Sequence, residues 1–133
     1  MNVDLQPDPM IGRMLPDVDL EFADGRTAHL PDDWKGRWTL LYFYPADDTP
    51  GCTAQAHAYR DNIDEFKRVN VQVVGVSPDD ADSHRRFTKK HQLNFPLLSD
   101  PLHVLARAMG AYAGESVSRD TFLIDPEGRV RQV

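Results

Sequence analysis

Cys52 is the only cysteine in the chain, and it stands where a strand pattern gives way to a helix pattern. The run Trp38-Thr-Leu-Leu-Tyr-Phe-Tyr44 is apolar and β-favouring, Pro45 ends it, and helical spacing begins near Cys52. A thiol in the first turn of a helix faces backbone N–H groups without intrahelical partners and the positive end of the macrodipole, both of which favour thiolate over thiol. Nucleophilic or redox chemistry at sulfur is therefore the chemistry to look for. An isolated cysteine is more often an inert small hydrophobe, so its surroundings have to decide.

The elements that must position Cys52 follow from hydrophobic periodicity. Residues 1–16 carry three prolines, at 7, 9 and 16, and read as an extended lead-in. Val18, Leu20 and Phe22 alternate with acidic residues, Asp24-Gly25 is a turn signal, and Thr27 to Leu30 returns, which predicts an opening β-hairpin. Pro31 to Gly36 reads as a turn with a short helical piece, and the run from Trp38 suits a central strand covered on both faces. Tyr59, Ile63 and Phe66 form an apolar stripe on a helix expected over 53–68.

Val71 to Val76 predicts a second buried strand. Ser77-Pro78-Asp79-Asp80 has the form of a helix N-cap, a first-turn proline and acids, opening a helix to about His91. Phe95 to Ser99 is short and apolar, and Asp100 to Met109 reads as a capped helix closed by Gly110. Thr121 to Asp125, the turn Pro126-Glu-Gly128 and Arg129 to Val133 form a final hairpin. This alternation predicts an α/β layered fold with partly parallel central strands, and the length suits a single domain over 1–133.

A net charge of −6 argues against nucleic acid or an anionic membrane as partner, and the basic run Arg85-Arg-Phe-Thr-Lys-Lys90 reads as a solvated helix face. No signal peptide or membrane-spanning run is evident, so a cytoplasmic location is expected. One cysteine excludes an internal disulfide and Cys-x-x-Cys exchange. The five histidines show no supported metal-ligand spacing, so neither metal nor cofactor is expected.

The stretch Leu41-Tyr-Phe-Tyr-Pro-Ala-Asp-Asp-Thr-Pro-Gly-Cys-Thr53 resembles the signature of the peroxiredoxins, in particular the bacterioferritin comigratory protein or peroxiredoxin Q group. Pro45, Thr49 and Cys52 carry the wider pattern Pro-x-x-x-Thr-x-x-Cys. Tyr59-Arg-Asp61 with Glu65-Phe66, Gly75-Val-Ser-Pro-Asp79 with Ser83-His84, Phe95 to Pro101 and Arg119 to Asp125 continue the match in order. The resemblance implies a thioredoxin-like fold, with a central mixed β-sheet flanked by helices and an N-terminal β-hairpin, and thiol-dependent reduction of hydrogen peroxide and organic hydroperoxides.

It also implies that Cys52 is the nucleophile and Arg119 the active-site arginine, able to donate several N–H bonds to sulfur and peroxide. Thr49, three residues before Cys52, can present a hydroxyl to the peroxide oxygens, and Pro45, with no N–H, can shield the sulfur from water. Read alone, Arg119 is a loop arginine, Thr49 a turn or cap residue and Pro45 a strand terminator. The thiolate attack forms a sulfenic acid and releases water or an alcohol.

Many members of this group carry a resolving cysteine five residues after the first, where this chain has His57. Regeneration is therefore expected from an external thiol reductant such as thioredoxin, glutaredoxin or a small thiol, in a one-cysteine mechanism. His57 fits either a proton transfer or a polar place on the exposed side of its helix, the second being the commoner. Relatives usually continue into a terminal helix that covers the sheet, whereas this chain stops at Val133, which would leave apolar sheet surface uncovered. A monomer or weak homodimer is expected. The rival readings are a non-enzymatic redox sensor or binding module on the same fold, and a cysteine hydrolase, for which no histidine carries a general-base motif.

Overall fold

A computed structural model of the chain describes residues 8–133. The elements in order are β1 (Val18–Phe22), β2 (Thr27–Leu30), a 3-10 turn at Asp32–Trp34, β3 (Trp38–Phe43), α1 (Pro50–Asp61), α2 (Ile63–Arg68), β4 (Val71–Ser77) and α3 (Ala81–His91). They continue with β5 (Leu97–Ser99), α4 (Val104–Ala108), β6 (Tyr112–Ala113), β7 (Ser116–Val117), β8 (Thr121–Ile124) and β9 (Val130–Gln132). Seven strands form one mixed sheet in the order β2-β1-β5-β4-β3-β8-β9, and β6 and β7 make a separate small hairpin.

β3, β4 and β5 run parallel at the centre of the sheet, while β8 joins β3 antiparallel. Alternating residues feed two cores. Leu41 and Phe43 of β3, Val74 and Val76 of β4, and Leu98 of β5 pack with Leu105, Met109 and Phe122 on one face. Tyr42, Tyr44, Val73 and Leu97 pack on the other with Ile63 of α2, Phe87 of α3, and Cys52 and Ala56 of α1. Burial on both faces is what makes β3 and β4 near-continuous apolar runs.

Several elements depart from the sequence expectations. The lead-in was read as extended over 1–16; residues 1–7 lie outside the described residues, and Asp8 to Arg13 form turns closed by Ile11 N–H to Asp8 O and Arg13 N–H to Met10 O. The helix expected over 53–68 begins earlier, with Pro50 as first residue, and breaks at Asn62, whose backbone leaves helical geometry at φ −113°, ψ 12°. Ser77 is not the cap of α3: it ends β4, and Asp80 caps instead by accepting the Ser83 N–H at 2.8 Å.

The helix expected over 100–109 is only α4. Asp100 still caps it, accepting the N–H groups of Leu105 and Ala106 at 3.1 and 2.9 Å, but His103 adopts a left-handed φ of 58° between them and delays the helix. The β6–β7 hairpin has no counterpart in the sequence reading. Leu40 and Leu123 line a groove of ≈ 300 Å³ with Thr121, Gln132 and Val133, on the sheet face beside the last strand. Among the described residues, no helix is long and apolar enough to cross a membrane.

Candidate active site

β3 delivers the chain to the C-terminal end of the parallel strands, where Tyr44 N–H still pairs with Val76 O at 3.0 Å and half-buried Pro45 ends the ladder. α1 then opens with Thr49 in extended geometry as the N-cap residue and Pro50 at the first position. The Thr49 hydroxyl does not cap the helix. It donates to Ala46 O at 3.2 Å, while Thr49 O accepts the N–H of Thr53 at 2.8 Å. Cys52 is thus the third residue of α1, inside the turn whose N–H groups lack intrahelical acceptors. Its residue surface is only 1% exposed.

Arg119 sits just before β8, in a position fixed by Phe43 N–H donating to Asp120 O at 2.9 Å. Its guanidinium reaches across to α1. A Cβ on Gly51 would lie 2.8 Å from Nη2 and 3.4 Å from Cζ of Arg119, so the bare Cα of Gly51 is what leaves room for the cation against the first turn of α1. Nη1 donates to Gln55 Oε1 at 3.4 Å, holding the guanidinium along the first turns of α1.

The loop between β3 and α1 is anchored by Asp47. Its Oδ1 accepts the Tyr44 hydroxyl at 2.6 Å; its Oδ2 accepts the Ser83 hydroxyl at 2.8 Å and His84 Nδ1 at 2.7 Å. His84 is fully buried and directs Nε2 at Leu98 O, 3.1 Å away. Asp47 N–H donates to Asp79 Oδ2 at 2.6 Å, and Asp79 also accepts the Ser77 hydroxyl at 2.9 Å. The β3–α1 and β4–α3 loops are thereby tied to each other and to α3 and β5 at one end of the parallel strands.

Beneath Cys52 lies an aromatic bed. Tyr42 stacks on Tyr59 with ring centroids 4.5 Å apart and on Tyr44 at 5.5 Å. Burial, reinforced by Tyr59, Asp47 and Cys52, pushes the Tyr42 phenol well above the usual tyrosine range; burial and then Asp47 do the same to Tyr44. Both phenols stay neutral. On the outer side, His57 Nε2 meets His91 Nδ1 at 3.0 Å, His91 Nε2 meets Asp48 Oδ1 at 2.9 Å, and Lys90 Nζ donates to Asp48 Oδ2 at 2.7 Å.

The structure therefore brings Pro45, Thr49, Cys52 and Arg119 to one end of the sheet, and it couples His57 to a second histidine instead of leaving it on the open side of its helix. Asp47 and His91 were not singled out from sequence, and His84 was noted only as part of a matching stretch. A helical signal for two of them exists: Ala81, His84, Phe87 and His91 recur every three or four residues, which puts both histidines on the inward stripe of α3.

With this fold and site in view, the chain belongs to the AhpC/TSA family, whose match covers residues 11–133. Within that family it is similar to the peroxiredoxins of the Bcp and Q types. It is 41% identical over 128 residues to Peroxiredoxin Bcp of Bacillus subtilis (strain 168), covering 90% of this chain and 81% of that protein. It is 42% identical over 125 residues to the chloroplastic Peroxiredoxin Q of Oryza sativa subsp. japonica, covering 92% of this chain but only 57% of that protein. The solved structure of Xanthomonas campestris Peroxiredoxin Q superposes with a TM-score of 0.85 at 35% identity, over 89% of this chain and 82% of that one. The fold is thioredoxin-like, and the chain is a thiol-dependent peroxidase, an enzyme that reduces a peroxide with electrons from a thiol.

Proposed function

We propose that Cys52 is the peroxidatic nucleophile and that Arg119, Thr49 and Pro45 make up its immediate machinery, acting on hydrogen peroxide and organic hydroperoxides. The observation that carries this is the Arg119 guanidinium lying on Gly51, the residue before the sole cysteine, at the start of α1. The Cys52 thiolate attacks the terminal peroxide oxygen, the O–O bond breaks, and the leaving oxygen departs as water or alcohol after taking a proton. Arg119 and the free N–H groups of the first turn of α1 stabilise the charge growing on that oxygen. The Thr49 hydroxyl, whose own proton goes to Ala46 O, is the candidate acceptor for the peroxide proton, and Pro45 adds a wall with no competing N–H.

Cys52 becomes a sulfenic acid. An external thiol returns it to the thiol state, with thioredoxin, glutaredoxin or a small thiol as the candidate classes. Because Cys52 is buried, a thiol reaches its sulfur only after the first turn of α1 opens. We further propose that the chain works as one domain over 1–133, in a reducing compartment such as the cytoplasm, as a monomer or weak homodimer without nucleic acid or membrane partners.

Intact-mass measurement after one equivalent of hydrogen peroxide tests the site. Gain of one oxygen in the wild type but not in Cys52→Ser, reversed by added thiol, is the expected result. Oxidation of Cys52 at the rate of an ordinary free thiol, or failure to recycle, would sink it.

A further inference from the structure

The outer surface of α1 carries a hydrogen-bonded chain that the peroxide step does not use. It runs from Asp48, immediately before Thr49, through His91 at the end of α3 to His57 on α1. Its proton positions follow from its anchored end. Lys90, and after it His91, hold the Asp48 carboxyl below the usual carboxylate range, so Asp48 is an acceptor only. His91 must then donate from Nε2 to Asp48, which leaves its Nδ1 as a lone pair in the neutral ring. With both rings neutral, His57 in turn donates from Nε2 to that lone pair. The remaining nitrogen of His57, Nδ1, is consequently a lone pair, and among the described residues it has no hydrogen-bond partner. The chain turns His57 into an oriented base, backed by a second imidazole and a carboxylate.

From this arrangement we infer that His57 is the general base that deprotonates the incoming thiol in the regeneration step, with His91 and Asp48 as positioning residues. The inference rests on Cys52 being the oxidised residue. His57 lies five residues beyond Cys52, about 7.5 Å along the helix axis, so the first turn of α1 must unwind for the sulfenic acid to reach it. The other charged groups around the chain are Lys90 on Asp48, and Arg60, which donates to His91 O at 2.8 Å and pairs with Asp61.

The step balances as follows. The proton of R–SH passes to His57 Nδ1, the thiolate sulfur bonds to the Cys52 sulfur, and the S–O bond breaks. The departing hydroxide takes the proton back from His57 as water. A second R–SH attacks the R sulfur of the mixed disulfide, releasing Cys52 as thiol and R–S–S–R, so two thiols supply the two electrons.

The test oxidises the full chain with one equivalent of hydrogen peroxide and follows loss of the sulfenic acid by intact mass, with 2-mercaptoethanol as the thiol, from pH 6 to pH 9. His57→Gln is expected to slow reduction about 100-fold near neutrality, His91→Gln and Asp48→Asn to slow it less, and all three deficits to shrink as the pH rises and the thiol ionises unaided. With 5-thio-2-nitrobenzoate, which is already a thiolate, His57→Gln should react as fast as wild type. Equal rates for wild type and His57→Gln with 2-mercaptoethanol would overturn the inference, as would an equal deficit with both thiols, which marks a structural role. If wild-type Cys52 is not oxidised at all, it is the assignment of the nucleophile that has failed.

Discussion

Arg119 and Gly51 are in contact through an absence: the guanidinium occupies the space a side chain on residue 51 would fill, 2.8 Å from where its Cβ would stand. Gly51→Ala should therefore leave the fold intact, because the atoms in the way are the mobile end of an arginine, yet displace the cation from Cys52. Loss of a charge-stabilising donor costs about 10²- to 10³-fold in rate, and a displaced one should cost about tenfold or more in sulfenic acid formation. Stopped-flow oxidation by hydrogen peroxide, with circular dichroism as the folding control, checks this. An unchanged rate would remove Arg119 from the reaction.

Asp47 is the most stability-critical side chain of the site. Asp47→Ala strands the Tyr44 hydroxyl, the Ser83 hydroxyl and buried His84 together. Breaking a buried pair by removing one partner typically costs about 3–5 kcal/mol, and urea unfolding should show a loss of that size. A loss below about 1 kcal/mol would mean that the network contributes little.

Tyr42 offers the opposite case. Its hydroxyl is buried without a hydrogen-bond partner among the described residues, and it lies against the bare Cα of Gly75, where a Cβ would come within 2.9 Å of that oxygen. An unsatisfied buried polar group costs about 1–3 kcal/mol, so Tyr42→Phe should be neutral or raise the thermal midpoint by a few degrees. A clear fall in the midpoint would show that the hydroxyl is paired.

Acid should loosen the last hairpin. Burial alone would raise the Asp125 carboxyl, but the Arg129 N–H, the Arg131 side chain and the Glu127 N–H outweigh it and hold it below the usual value. A depressed folded pKa stabilises fully above the unfolded value of about 3.9 and is lost as pH falls through the lower folded value. Asp125→Asn should be less stable at pH 7 and lose less than wild type on moving from pH 5 to pH 2, as thermal melts across that range would show. Parallel pH curves for the two proteins would refute the assignment.

Much of this arrangement was readable in the chain itself. The period of two in Val18 to Phe22 and the unbroken apolar runs Trp38 to Tyr44 and Val71 to Val76 each name their element through local rules. What escaped was set by tertiary partners. α1 breaks at Asn62 although the apolar stripe runs through it, and Ser77 loses the cap of α3 because its hydroxyl serves Asp79. Asp47 looked like one loop acid among several, since its partners lie on α3 and at the end of β3. His57 and His91 could not be joined from sequence, because their meeting depends on how α1 and α3 pack on one sheet face.

The wide spacing of these partners bears on how the protein folds. Asp47 binds residues 32, 36 and 37 positions away, and Arg119 reaches a residue 64 positions back. Contacts of such separation close late, after the ordering entropy of the intervening chain has been met. A growing chain thus exposes Cys52 long before it owns the Arg119 guanidinium. During synthesis and refolding the thiol should behave as an ordinary one, and recovery of peroxide reactivity should lag behind recovery of helix.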